Sequence, residues 1–185
     1  MIEQGLSEDS SQTFLQAVSA GDKVAVKNML TRGASIMERS PDGLTALHYC
    51  ALYDDRQIAD LLLEHNASMN AKTNERLTPF DVAINEQSWN VASLLIENGC
   101  ALGNFTTNIF KLLKESEDTS IWRPVVRALA QRFNRSQDGS QMLHRALELH
   151  DSKALTLFLD EGFDPNASDE GRANHHITFN LLLTK

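Results

Sequence analysis

Three residues that can do chemistry follow one another in the stretch DGLTALHYCALYDD, residues 42–55: His48, Tyr49 and Cys50. A histidine within hydrogen-bond reach of a cysteine can activate the thiol as a nucleophile. On a helix, however, residues two positions apart point about 200° from each other. His48 and Cys50 would then emerge on nearly opposite sides of the helix, so they cannot form a nucleophile and base pair with each other.

The elements that would position these residues recur along the chain. The segment 44–55 aligns with the segment 77–88 at a spacing of 33 residues. The residue that follows the second apolar run of each copy is Gly33, then Asn66, then Gly99. Glycine and asparagine tolerate the left-handed conformation that closes a helix, so the period has a stereochemical cause. Gly162 is the next such residue in a matching context.

Each copy carries two apolar stripes at helical spacing. In the second copy these are Leu47, Cys50 and Ala51, followed by Ile58, Leu61 and Leu62. Thr78 before Pro79 predicts a helix start with proline at the first helical position, and Asp81 completes an arrangement like a capping box. Thr45 begins the matching helix one copy earlier. Each copy is therefore predicted to be a helix, a tight turn, an antiparallel helix and an extended loop.

The segment GLTALHYCA resembles the T-P-L-H-x-A signature of the ankyrin repeat, and 33 residues is the period of that family. The resemblance implies an all-α solenoid of stacked helix-turn-helix units with projecting β-turn or hairpin loops. It predicts a single domain over residues 1–185. The expected repeats are approximately 7–39, 40–72, 73–105, an irregular 106–135, 136–168 and a partial cap at 169–185. The irregular repeat lacks the signature and carries Pro124 near its second helix, but its apolar stripes still predict two helices.

The resemblance also gives His48 and Cys50 structural roles. His48 is similar to a family histidine that ties neighbouring backbone and the threonine hydroxyl, and His144 occupies the equivalent place, while Leu15 and Asp81 replace it elsewhere. Cys50 takes the small-residue position that alanine fills in three other repeats, so we expect a core residue. We expect no enzyme activity, no catalytic residue, no metal ligand and no cofactor.

Composition and net charge limit the classes of partner that we expect this chain to bind. The formal net charge is -8, and no dense basic run occurs, so nucleic acid and anionic membranes are not expected partners. The chain starts with acidic and polar residues instead of a basic and apolar signal. Two cysteines are too few for a disulfide framework. We therefore expect an intracellular, cytoplasmic or nuclear protein that acts as a monomer and binds another protein.

The family's known binding face is the concave face of the stacked repeats, and it implies a set of contact positions at the loop tips and at the exposed ends of the first helices. Large apolar side chains among them, at Leu52, Tyr53, Leu77 and Phe105, are expected to be exposed and to anchor a partner. Trp89, which starts a second helix, could equally pack on its neighbour. The complete set is Arg39, Asp42, Leu44, Leu52, Tyr53, Lys72, Glu75, Leu77, Asn85, Glu86, Trp89, Phe105, Asp138, Glu148 and Leu149.

Two further functions stay open at this level. The abrupt apolar end of the chain, LLLTK, favours an N-terminal regulatory or targeting module of a longer enzyme or receptor. The hypothesis that the chain is itself an enzyme rests only on residue types, such as those of His48 and Cys50, that packing already explains. The leading hypothesis is a noncatalytic protein that binds another protein.

Overall fold

The computed structural model describes residues 13–133 and 139–164. Every regular element within these ranges is a helix, which confirms the predicted all-α fold class. A short 3₁₀ helix spans Thr119–Trp122. The α-helices are α1 (Phe14–Ser19), α2 (Lys23–Thr31), α3 (Ala46–Tyr53), α4 (Arg56–Glu64), α5 (Pro79–Asn85), α6 (Trp89–Glu97), α7 (Phe105–Glu115), α8 (Arg123–Phe133), α9 (Gly139–Glu148) and α10 (Ser152–Asp160).

A threonine caps the start of the first helix in each of the three N-terminal repeats, which are α1, α3 and α5. Thr78 Oγ1 accepts a hydrogen bond from the Asp81 N–H at 3.2 Å, and Asp81 Oδ2 accepts one from the Thr78 N–H at 2.8 Å. This is the predicted capping box, with proline at the first helical position. In α1 the box is formed by Thr13 and Gln16, so Gln16 takes this place and Leu15 is buried in the core.

The second helix of each repeat has different residues at its start and at its end. An aspartate side chain accepts the backbone N–H three residues ahead at the start of α2, α4 and α10, at 2.9–3.0 Å. Such caps satisfy an N–H group that has no partner within the helix. The four residues predicted to close second helices, Gly33, Asn66, Gly99 and Gly162, all have positive φ, between 63° and 96°. The stereochemical origin of the period is thus confirmed.

The chain separates into two compact units, an N-terminal one ending at Ala92 and a C-terminal one beginning at Ser93. In the N-terminal unit, α3 packs between α1 and α5, while α2 packs on α1 and α4, and α4 packs on α3. Ala17, Cys50 and Ala83 are at most 1% exposed. Small residues at these positions let neighbouring helices lie close together.

In the C-terminal unit, α10 packs against α7, α8 and α9. The Phe158 ring of α10 lies edge-on to Phe110, with ring centroids 5.6 Å apart. The irregular repeat forms two helices as predicted, α7 and α8, and Pro124 is the second residue of α8, where a missing N–H breaks no helical hydrogen bond. The boundaries of the repeats within one domain stay a prediction, and the partial cap at 169–185 lies outside the described residues.

A buried carboxylate joins the end of α10 to α8. The Glu161 side chain is 1% exposed, and its oxygens accept hydrogen bonds from Arg123 Nη1 at 2.7 Å and Arg127 Nε at 2.8 Å. A buried charge is stable only when it is paired and hydrogen-bonded, and both conditions hold here. The adjacent Asp160 pairs with Arg123 at 3.6 Å, but both of these side chains are about half exposed.

We predict that Glu161→Gln lowers the free energy of unfolding by about 1–3 kcal/mol, because an amide replaces a buried charge that accepts two charge-assisted hydrogen bonds. The neighbouring Asp160→Asn is the control, and it should cost less than about 0.5 kcal/mol since exposed ion pairs stabilise little. Urea denaturation followed by circular dichroism measures both. Equal losses in the two variants would contradict the role assigned to Glu161.

Candidate functional site

His48 forms three hydrogen bonds at the centre of the N-terminal unit. Its ring is 0% exposed, and Nδ1 lies 3.0 Å from the Thr45 nitrogen and 2.8 Å from Thr45 Oγ1. Because the Thr45 backbone N–H can only donate, Nδ1 is the acceptor and Nε2 carries the proton. Nε2–H then donates to the Leu77 carbonyl at 3.1 Å. The predicted tie to the threonine hydroxyl and to neighbouring backbone is confirmed.

The other residues at this repeat position behave differently. Asp81 Oδ2 accepts hydrogen bonds from both the Thr78 N–H and Oγ1–H, as Nδ1 of His48 does, but a carboxylate has no proton to donate further. The equivalence of His144 to His48 is wrong in structural terms. His144 is exposed, and its Nε2 lies 3.3 Å from Glu148 Oε1. Since α9 already begins at Gly139, the residue three before His144 lies inside the helix, and it is a glutamine without a hydroxyl.

Burial controls the protonation of both candidate catalytic residues. It lowers the pKa of His48, and the hydrogen bond to the Leu77 carbonyl opposes this effect only in part. Burial raises the pKa of the Cys50 thiol far above its usual range, so the thiol stays protonated and unreactive. His48 and Cys50 therefore do not form a nucleophilic site. Within residues 13–133 and 139–164, no cluster of histidine, cysteine or acidic side chains could hold a metal ion.

The two loops that precede α3 and α5 are bonded to each other. Arg39 Nη1 donates to the Gly43 carbonyl at 3.0 Å and to the Lys72 carbonyl of the next loop at 2.9 Å. Asn74 completes the link, because its N–H donates to the Asp42 carbonyl at 3.0 Å and its Nδ2 donates to the Pro41 carbonyl at 2.9 Å. The Arg39 guanidinium, predicted as a partner contact, thus holds the two loop tips together.

The predicted contact residues differ in exposure. Tyr53 is 62% exposed, and Leu149 is 47% exposed in the C-terminal unit. The polar positions Asp42, Lys72, Glu75, Asn85, Glu86 and Glu148 are also exposed. Leu44, Leu52, Leu77 and Trp89 are half-buried, so the expected exposure of Leu52 and Leu77 holds only in part. Asp138 lies outside the described residues.

The expectation that Phe105 is exposed is wrong. Phe105 is 7% exposed, and its ring stacks on Trp122 with centroids 6.4 Å apart. It is the first residue of α7, which begins directly after the turn at Gly103 and Asn104. The irregular repeat therefore has no projecting loop at this point, and its aromatic residue joins the core of the C-terminal unit.

Among the helices that the structure describes, α1, α5 and α4 pack around α3. The side of α3 that these three helices leave uncovered carries Tyr49, Leu52 and Tyr53 at helical spacing. The residues 33 positions before and after Tyr53 are Ala20 and Glu86, and both are exposed. We call the uncovered sides of α1, α3 and α5 the first-helix face, with Tyr53 at its centre.

Two features of this region were missed from the sequence. Met37, in the loop before α3, is 60% exposed. The sequence offered one signal for this exposed methionine, because the polar residue Asn70 occupies the same position in the next repeat. An open groove of about 650 Å³ runs beside Tyr53, between the turn that follows α1 and the turn that follows α3. Ser19, Gly21, Lys23 and Gln57 are among the residues that line it.

Comparison with known proteins places these observations in a family. A family model for ankyrin repeats, in three copies, matches residues 14–106, which is half of the chain. The chain belongs to the ankyrin-repeat family. The matched residues contain the capped starts of α2, α3, α4 and α5, the His48 tie and the two bonded loops.

Curated relatives share these repeats over part of their length. A putative ankyrin repeat protein of Acanthamoeba polyphaga mimivirus is 30% identical over 89 residues, covering 48% of this chain and 12% of the relative. Regulatory protein NPR6 of Arabidopsis thaliana is 33% identical over 81 residues, or 43% of this chain and 17% of the relative. Human Rabankyrin-5 is 26% identical over 195 aligned residues, covering 83% of this chain and 17% of the relative. The chain thus spans less than a fifth of each of these three ankyrin proteins.

The lengths and polarity of the helices also bear on whether the chain could span a membrane. Among the described residues, the helices are all too short or too polar to cross a bilayer.

The lowered pKa of His48 predicts a pH dependence of stability. The unfolded chain takes up a proton at this residue near pH 6.5 while the folded chain resists it, so stability falls as the pH drops below about 6.5, by at most about 1.4 kcal/mol per pH unit. Urea denaturation at several pH values between about 7.5 and 5.5 measures the slope. The slope should be smaller in His48→Gln, and equal slopes in both proteins would contradict this prediction.

The bonded loops predict that Gly43 tolerates no side chain. Gly43 has a φ of +80°, and an added Cβ would lie 2.8 Å from Asn74 Oδ1 and 3.0 Å from the Asn74 backbone nitrogen. Gly33 is the matched control, with a φ of +85° and nothing within 4 Å of an added Cβ. We expect Gly43→Ala to lower the free energy of unfolding by at least about 1 kcal/mol more than Gly33→Ala, since it also separates the loops. Chemical denaturation of both variants tests this, and equal losses would argue against the clash.

Proposed function

We propose that this chain is a noncatalytic ankyrin-repeat protein that binds a partner protein through its N-terminal unit. Ankyrin repeats are generally protein–protein interaction modules, and the chain belongs to that family. The proposed contact surface consists of the loop tips, with Asp42, Lys72 and Glu75, and the first-helix face. The observation that carries the proposal is the exposure of Tyr53 at the centre of that face.

An exposed tyrosine in this setting is suited to anchor a partner. Tyrosine is enriched among the residues that contribute most to protein interfaces, because it buries a large rigid ring and keeps a polar hydroxyl. The half-buried Leu52 lies beside it and adds apolar surface. The groove next to Tyr53 provides a concavity into which a partner's side chain could insert.

The bonded loops support the proposal in a second way. The hydrogen bonds of Arg39 and Asn74 hold the two tips in one arrangement before any partner binds. A surface that is already ordered loses less conformational entropy on binding than a mobile one. The backbone that carries the exposed charges of Asp42, Lys72 and Glu75 is therefore held in one arrangement, which favours selection of one partner over others.

We predict that Tyr53→Ala weakens partner binding at least about tenfold, the equivalent of about 1.4 kcal/mol. Val24→Ala is the matched control, because Val24 is 71% exposed but lies on α2, a second helix, and is not among the residues that line the groove beside Tyr53. Affinity capture from the native cell with wild type and both variants, followed by mass spectrometry, identifies partners. Titration of the captured protein then gives dissociation constants.

The comparison of the two variants decides the outcome. Loss of the same partner with Tyr53→Ala but not with Val24→Ala supports the proposed surface. Retention of every partner by Tyr53→Ala, at unchanged affinity and with circular dichroism like that of wild type, contradicts it. Phe105→Ala is unsuitable for this purpose because Phe105 is buried and its loss would disturb the core.

A second candidate function is a regulatory or targeting module within a longer enzyme or receptor. The observation in its favour is that the chain spans only 12–17% of the three relatives described above. One of these relatives is named as a regulatory protein. Determining the transcript beyond Lys185, together with the mass of the endogenous protein, tests this proposal. A stop codon directly after Lys185 would remove it.

A further inference from the structure

The full sequence contains two hydroxyl residues that are followed directly by proline, Ser40–Pro41 and Thr78–Pro79. Serine or threonine before proline is the local pattern that proline-directed protein kinases recognise. Such kinases transfer a phosphoryl group from ATP, which changes the charge of the site at neutral pH by about -1.5 to -2. Sequence alone does not separate the two pairs, but their surroundings in the structure do.

Thr78 and Pro79 are both buried. Thr78 is 9% exposed, and its Oγ1–H donates to Asp81 Oδ2 at 2.7 Å. Pro79 and Phe80 follow it in the first turn of α5, and Phe80 is 1% exposed. To present Thr78 to a kinase, the chain would have to unfold the start of α5 and expose this apolar ring, at a large cost in free energy.

The Ser40 pair lies at a loop tip. Ser40 itself is half-buried, its neighbours Arg39, Pro41 and Asp42 are exposed, and no residue between 35 and 42 is buried. Ser40 Oγ accepts a hydrogen bond from the Leu44 N–H at 3.1 Å, so its own proton is not needed for that contact. Opening this tip breaks the surface hydrogen bonds of Arg39, Asn74 and Leu44 but exposes no core side chain, so it costs less than unfolding the start of α5.

We propose that Ser40 is a phosphorylation site for a proline-directed serine/threonine kinase. In this reaction Ser40 Oγ attacks the γ-phosphorus of ATP, and a new P–O bond forms. The bond from the γ-phosphorus to the oxygen bridging it to the β-phosphorus breaks, and ADP leaves. The hydroxyl proton passes to the kinase's catalytic carboxylate.

The phosphate would stand next to the charged groups of the proposed contact surface. Arg39 precedes Ser40, and Asp42 lies two residues after it at the same tip. A phosphate at Ser40 therefore changes the charge that a partner meets at this tip. That consequence rests on the proposed function, whereas the modification of Ser40 itself does not.

The chain provides an internal comparison for accessibility. Thr73 occupies the same place in the next loop, where its Oγ1 accepts the Leu77 N–H at 3.2 Å and its N–H donates to the Leu77 carbonyl at 2.9 Å. Asn74, not proline, follows Thr73. Ser40 has both the loop geometry and the proline, Thr73 has only the geometry, and Thr78 has only the proline.

The test treats the folded full chain with ATP and a proline-directed kinase and maps phosphorylated residues by mass spectrometry. We expect modification at Ser40, with Thr73 and Thr78 unmodified. Pro41→Ala should slow modification of Ser40 at least about tenfold, as expected when a recognition contact is removed. Since Pro41 is exposed and its carbonyl remains in the variant, the fold should be retained, which circular dichroism checks.

Unstructured peptides covering residues 34–46 and 72–84 serve as controls for the kinase. Modification of both peptides, with Ser40 alone modified in the folded chain, supports the proposal because it shows that the fold makes the selection. A folded chain that stays unmodified at Ser40 overturns it, whether or not the first peptide is modified. Equal modification of Ser40 and either threonine, or an unchanged rate in Pro41→Ala, overturns it as well.

Discussion

The close approach of neighbouring first helices is the constraint on which the N-terminal unit depends. Ala17, Cys50 and Ala83 occupy the same position in successive repeats, and none is more than 1% exposed. A larger side chain at this position would push the helices apart, because interiors are packed too densely to absorb added volume. With α1, α3 and α5 held in contact, the loops that precede α3 and α5 come near enough to bond.

His48 converts that packing into a defined geometry for the loops. Its Nδ1 holds the cap of α3, and its Nε2–H holds the Leu77 carbonyl just before α5. One neutral imidazole thus couples a helix start to the following loop, and the requirement for an acceptor on one side and a donor on the other explains why Asp81 reproduces only half of this arrangement. The apparent catalytic residue is structural, and the proposed contact surface lies at the other end of α3, at Tyr53.

Much of the fold could be predicted from local sequence. The threonine caps, the residues with positive φ and the paired apolar stripes each depend on a few neighbouring residues, so their pattern survives in a single sequence. The candidate surface was predicted less well. Phe105 is buried because the irregular repeat replaces a projecting loop with an early helix start, and the guanidinium of Arg39 is engaged by the carbonyl of Lys72, a residue 33 positions away.

The sequence by itself determined the family, the helix pairs and, in the regular N-terminal repeats, the helix ends, since these follow from a period of 33 residues and from local stereochemistry. Only the tertiary structure decided which side chains remain available. Tyr53 is exposed because α1, α4 and α5 cover the other sides of its helix, and Glu161 is buried because Arg123 and Arg127 from α8 reach it. The tertiary structure also separates Ser40 from Thr78, because both precede a proline but Thr78 is buried and Ser40 is not. Exposure depends on contacts between residues distant in the chain, and no local pattern encodes those contacts.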